Sequence, residues 1–145
     1  MSEYEQNERK MRVSVSGLGP DDLLLTGFTA TDAVSRLFRY ELEMVAETRH
    51  RIAFDQVLGR SVTVHLRLPD ESAETHLNGL CVRFSQRDRD STFTRYRAEI
   101  APDVWRLTRS TKSRIFQRKT VPEILGQILE GIAVTWRLEG SYEPR

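Results

Sequence analysis

At 145 residues the chain suffices for one domain or one domain with part of another, and a hydrophobic content of 39% supplies a core, which excludes wholesale disorder. Lys and Arg number 22 against 21 Asp and Glu, and the formal charge of +1 argues against a protein built chiefly to hold nucleic acid. The single cysteine, Cys81, excludes an internal disulfide, and no apolar run approaches the roughly 20 residues of a membrane-spanning helix.

Residues 1–10 are polar and lack the basic start and apolar run of a signal peptide; they read as a flexible tail. Residues 11–102 read as one β-barrel-like domain, and residues 103–145 as a helical connector and the truncated beginning of a second domain. Residues 11–16 predict a short strand, ended by the turn signal Gly17-Leu18-Gly19-Pro20-Asp21-Asp22. Residues 23–30 predict a second strand, bulged or kinked at Gly27. Over residues 37–47 apolar and charged side chains alternate. Phe38, Tyr40, Leu42 and Met44 fall on one face and Arg39, Glu41 and Glu43 on the other, the mark of a half-buried strand.

Residues 52–59 predict one or two helical turns stopped by Gly59. Residues 61–68 alternate again, with Val62, Val64, Leu66 and Leu68 inward and Thr63, His65 and Arg67 outward, until Pro69-Asp70-Glu71-Ser72 breaks the run. Residues 77–87 predict the next strand, with Gly79 as a candidate bulge and Cys81 as a small buried hydrophobe. Asp88-Arg89-Asp90-Ser91 is a polar turn into a strand over 92–101, where Arg95 and Arg97 alternate with apolar neighbours. Several antiparallel strands at short spacing give a mainly β class with minor α, a barrel or sandwich rather than a βαβ fold.

After Pro102, Asp103 is placed to cap a short helix, and the stretch 109–118 is basic with no acidic residue. Thr120-Val121-Pro122-Glu123 fits a capping box, and Val121, Ile124, Leu125, Ile128, Leu129 and Ile132 follow at helical spacing up to Gly131. A last strand is predicted over 134–138.

Little here carries catalytic chemistry. His50, His65 and His76 stand alone in sequence, without paired cysteines or a carboxylate cluster, so no metal site is expected. Gly17-Leu18-Gly19-Pro20 lacks the lysine and the following helix of a phosphate loop, and no Gly-x-Ser-x-Gly elbow occurs. No cofactor is expected, and an enzyme reading has no positive support. Arg106, Arg109, Lys112, Arg114, Arg118 and Lys119, with Trp105 and Phe116 between them, form the one basic-aromatic cluster, open to a single-strand-binding reading over 105–119. The balanced total charge favours a solvated or salt-bridged segment instead.

In order along the chain, Leu23-Leu24-Leu25 to Phe28, Leu37-Phe38-Arg39-Tyr40-Glu41-Leu42-Glu43, Leu58-Gly59-Arg60, Leu77-Asn78-Gly79, Phe93-Thr94-Arg95-Tyr96-Arg97, Pro102-Asp103-Val104-Trp105-Arg106-Leu107-Thr108, Ser113-Arg114-Ile115-Phe116-Gln117, Thr120-Val121-Pro122-Glu123-Ile124-Leu125 and Gly140-Ser141-Tyr142 resemble the VgrG spike family of type VI secretion systems and its relatives at contractile phage tail hubs. The resemblance covers the chain from about residue 11 onward and only the amino-terminal hub part of the family, whose later barrel and β-helix are not represented. It implies a structural, non-enzymatic hub module that trimerises, seats on a hexameric tube protein and is expelled with it, with effectors or their adaptors as further partners. It also implies a cytoplasmic location before firing, then secretion without a signal peptide and without membrane insertion by this part. A phage or tailocin baseplate hub is the alternative within the class. Arg39, Glu41, Glu43, Arg95 and Arg97 are the candidates for polar subunit contacts, with Phe38, Tyr40 and Trp105 assigned to packing.

Overall fold

A computed structural model describes residues 4–67 and 73–144. Leu68 and the break at 69–72 therefore lie outside the described residues. The chain divides into two compact units, Met1–Pro102 and Asp103–Arg145.

The first unit is one antiparallel sheet of six strands: β1 (Met11–Val15), β2 (Leu24–Thr31), β3 (Arg39–Glu47), β4 (Ser61–Arg67), β5 (Glu74–Arg89) and β6 (Phe93–Ala101). Their spatial order is β1-β4-β5-β6-β3-β2. Alternation buries one face: Tyr40, Leu42, Met44 and Ala46 of β3 meet Tyr96, Ala98 and Ile100 of β6, with Val62 and Val64 of β4 and Val13 and Val15 of β1 completing the core. The sheet curls until its two edges, β1 and β2, approach each other, making a barrel-like body with an open seam. A short 3₁₀ turn, Phe54–Gln56, is followed by Gly59 in the left-handed region at φ 75°; Phe54 packs edge-on against Phe84 of β5.

Two expectations need correction. The described part of the segment before β1, from residue 4, is not a free tail: Gln6 is only 2% exposed. Its side-chain oxygen accepts from the Val13 amide at 3.0 Å, and its side-chain nitrogen donates to the carbonyls of Val13 at 2.9 Å and Leu23 at 3.1 Å, and also to that of Pro20. One amide side chain thus satisfies the outward backbone of edge strand β1 and ties it to the chain entering β2. Gly79, in turn, is not a bulge. It pairs in register with Val62, and a Cβ there would lie 2.7 Å from the Ala101 carbonyl oxygen and 2.7 Å from Ile100 Cγ2. Glycine is needed for close approach, not for a kink.

The irregularity expected at Gly27 falls between Leu25 and Gly27: the extra residue Thr26 lets both Leu25 and Phe28 face inward, and its hydroxyl donates to the Glu43 carbonyl at 3.0 Å. A second shift between Cys81 and Arg83 turns both Cys81 and Phe84 to the core.

In the second unit a 3₁₀ segment, Asp103–Arg109, precedes α1 (Val121–Ile128). The capping box forms: the Glu123 amide donates to Thr120 Oγ1 at 3.3 Å and the Thr120 amide donates to Glu123 Oε2 at 2.6 Å. The helix stops short of Ile132, with Leu129 as its last capped residue and Gly131 at φ 81°. The strand expected over 134–138 makes no ladder among the described residues; a lone strand has nowhere to place its backbone donors and acceptors.

Candidate functional site

The pleat that buries Tyr40, Leu42 and Met44 puts Arg39, Glu41 and Glu43 on the opposite face of β3, and register extends that face across three neighbours. Glu41 lies opposite Thr29 of β2 and Glu99 of β6, while Glu99 lies opposite Arg83 of β5. Glu43 lies opposite Gly27 and Arg97, and Arg97 opposite Ser85. Two carboxylates directly across from one another, Glu41 and Glu99, would repel if left alone. Arginines resolve this: the Arg97 guanidinium donates to Glu41, while Glu99 is flanked by Arg83 at 3.3 Å and Arg39 at 3.9 Å. The charge-assisted bond from Glu41 raises the Arg97 pKa further, with Glu43 and Glu99 adding to its field.

Four of the five candidate contact residues therefore share this charged lattice. Arg95 stands apart, paired with Asp90 at the β5–β6 connection at 3.5 Å. The residues that the sequence reading missed are Glu99 and Arg83, whose place follows only from how β5 and β6 align; the alternation of Arg83, Ser85 and Arg87 was the available signal. A cleft of about 720 Å³ adjoins the lattice, lined in part by Arg9, Glu43, Arg87, Asp88, Arg95 and Arg97. Arg83 is 74% exposed, whereas Glu99 beneath it is 17% exposed. Exposed ion pairs of this kind add at most about 1 kcal/mol each to folding. The lattice is a polar surface with both signs interleaved.

The packing assignments for Phe38 and Tyr40 fit the geometry: their rings stack at 4.4 Å and 10°. Burial, then the Asp32 carboxylate, pushes the Tyr40 hydroxyl above its ordinary pKa. Burial likewise raises the Cys81 thiol to about 11, leaving it protonated and inert.

The basic segment is partly engaged within its own unit. Arg106 pairs with Asp103 at 2.7 Å, the Arg109 guanidinium lies 5.4 Å from the centre of the Trp105 ring, and Arg114 donates to the Gln127 carbonyl at 3.4 Å. Trp105 thus carries a cation of its own chain over its ring.

The sequence treats the histidines singly, but β4 and β5 bring two together. His65 and His76 are direct cross-strand partners, with their Nδ1 atoms 3.0 Å apart. His65 Nε2 lies 2.8 Å from Ser14 Oγ, Glu74 Oε2 lies 3.9 Å from His76 Nε2, and Arg12 pairs with Glu74 Oε1. The hydrogen bond from Arg12 holds the Glu74 carboxyl below the usual range, and desolvation followed by the Arg12 charge lowers the His65 pKa.

Comparison with known proteins gives a consistent picture. The family described as phage tail baseplate hub (GPD) matches residues 31–145. The type VI secretion system spike protein VgrG1a of Pseudomonas aeruginosa is 37% identical over 115 residues, covering 79% of this chain and 18% of that protein. VgrG1c of the same organism is 33% identical over 129 residues, covering 89% of this chain and 17% of that protein. The chain thus spans under a fifth of these two relatives. Among solved structures, the E. coli c3393 protein superposes with a TM-score of 0.72 at 26% identity over 92% of this chain and 37% of that one. It is described as a component of the type VI secretion system with structural similarity to T4 bacteriophage tail proteins gp27 and gp5.

Proposed function

Since the chain belongs to the phage tail baseplate hub family, and specifically resembles its type VI spike branch, we propose that it is the amino-terminal hub module of a secretion spike, residues 11–102 forming its first barrel-like domain and residues 103–145 leading into a second. Three such modules, each paired with a second barrel, would present near-sixfold symmetry to a hexameric tube protein, and the tube's expulsion would carry the hub outward with any effector attached. The observation that carries the reading is the coincidence of two likenesses over nearly the whole chain: sequence identity of 33% over 89% of it and a superposition over 92% of it.

The charged lattice gives the proposal its mechanism. Arg39, Glu41, Glu43 and Arg97 stand on a stiff four-strand platform, so a docking partner meets a fixed pattern of charge and little side-chain ordering is needed. Arg95 joins them at the rim. Both signs are present in register, which suits a polar subunit contact rather than a hydrophobic one. Spike-bearing cells and their culture medium, probed with an antibody against this chain, test the reading. The expected result is a species in the medium that disappears when the tube-protein gene is deleted. Equal release with and without the tube would overturn it.

A further inference from the structure

Outside the charged lattice, the face formed by β1, β4 and β5 holds a second cluster of side chains. We propose that His65, His76 and Glu74 form a binding site for a single zinc-class divalent cation, which would clip β4 to β5. Two ring nitrogens 3.0 Å apart cannot both present lone pairs to each other; either a proton or a cation must lie between them. A tetrahedral ion held at about 2.0–2.1 Å by two imidazoles places their nitrogens roughly 3.3 Å apart, so the rings need open by only a few tenths of an ångström. The register that sets this distance belongs to the ladder itself, His65 opposite His76, and is not a chance meeting of mobile side chains.

The surroundings match what a borderline metal requires. Ser14 Oγ sits 2.8 Å from His65 Nε2, where a metal-ligating imidazole places its outer hydrogen-bond partner, so Nε2–H donating to the hydroxyl leaves the Nδ1 lone pair facing the cation. The Glu74, His65 and His76 donor atoms all lie within 4.8 Å of one another. Glu74 Oε2 lies 3.9 Å from His76 Nε2 and would have to turn toward the Nδ1 side to join the ion, while its other oxygen stays with Arg12. That guanidinium is the opposing feature: it neutralises the carboxylate and limits the site to modest affinity. Two imidazole nitrogens and one carboxylate oxygen with an open fourth position favour zinc, nickel or copper over calcium or magnesium, which prefer all-oxygen shells.

Titration of the full chain with Zn²⁺ alone, followed by calorimetry, tests the site. One equivalent should bind, and His65→Ala or His76→Ala should each weaken binding by at least about tenfold. His50→Ala provides the control, since His50 is the remaining histidine of the chain and lies outside the cluster. Thermal melts with and without Zn²⁺ give an independent readout: the wild-type midpoint should rise with the metal and that of a variant carrying both His65→Ala and His76→Ala should not. No saturable binding to the wild-type chain, or binding lost equally in His50→Ala, would overturn the proposal.

Discussion

Gly79 shows how a residue can be marked by sequence for the wrong reason. An isolated glycine in a strand pattern signals either a bulge or a close approach, and only the neighbouring strand decides between them. Here the neighbour decides for approach: the Ala101 carbonyl occupies the space a side chain would need. Gly79→Ala should therefore destabilise the fold by about 1–3 kcal/mol, read as a lower urea midpoint with an unchanged slope, because the Ala101 backbone and the Ile100 side chain must move to admit one methyl group. Cys81 was readable outright, since a small apolar thiol between strand residues has one economical place to go. Gln6 was not. Its sequence neighbours are polar and its burial depends on the unpaired outer edge of β1, which no local pattern reveals.

At the scale of elements, alternation, apolar runs and turn signals together located the strands of the sheet, and the capping box located the start of α1. What alternation could not supply was register, because a period of two says which face a residue takes but not what stands opposite. The pairing of Glu41 with Glu99 and of His65 with His76 is a property of ladders, although folding the sequence about Pro69-Asp70-Glu71-Ser72 would have brought the two histidines together. The helix end and the strand over 134–138 were overextended for the same reason: apolar periodicity continued where partners did not. One connection makes a pH prediction. Asp90 Oδ1 accepts from the amides of Phe93 at 2.7 Å and Thr92 at 2.8 Å, and these bonds lower its pKa. A carboxyl depressed by folding contributes stability that is complete above its unfolded pKa, about 3.9, and that is lost as pH falls through the lower folded value. Acid titration should thus loosen the β5–β6 connection from about pH 4 downward, and Asp90→Asn should flatten that limb of the stability profile.

For the molecule as a whole, the charged lattice and the core answer to different tests, and this separates folding from assembly. Glu41→Lys sets a cation against Arg97 on a surface where such pairs are worth at most about 1 kcal/mol, so the melting transition should shift little. If the lattice is buried between hub subunits, the same change should weaken association by at least about tenfold, since like charges meeting across an interface cost several kcal/mol. Light scattering on the wild-type and variant chains in the presence of the tube protein reads the difference. The seam between β1 and β2 has its own consequence. Five junctions between the six strands are ladders, in which load is shared by many bonds pulled together, but the sixth has none, and beside it the side chain of Gln6 ties Val13 to the carbonyls of Pro20 and Leu23. A closed cylinder resists deformation equally around its girth; this one has a clasp. Under strain along the sheet the body would open first along that line, where no ladder has to break.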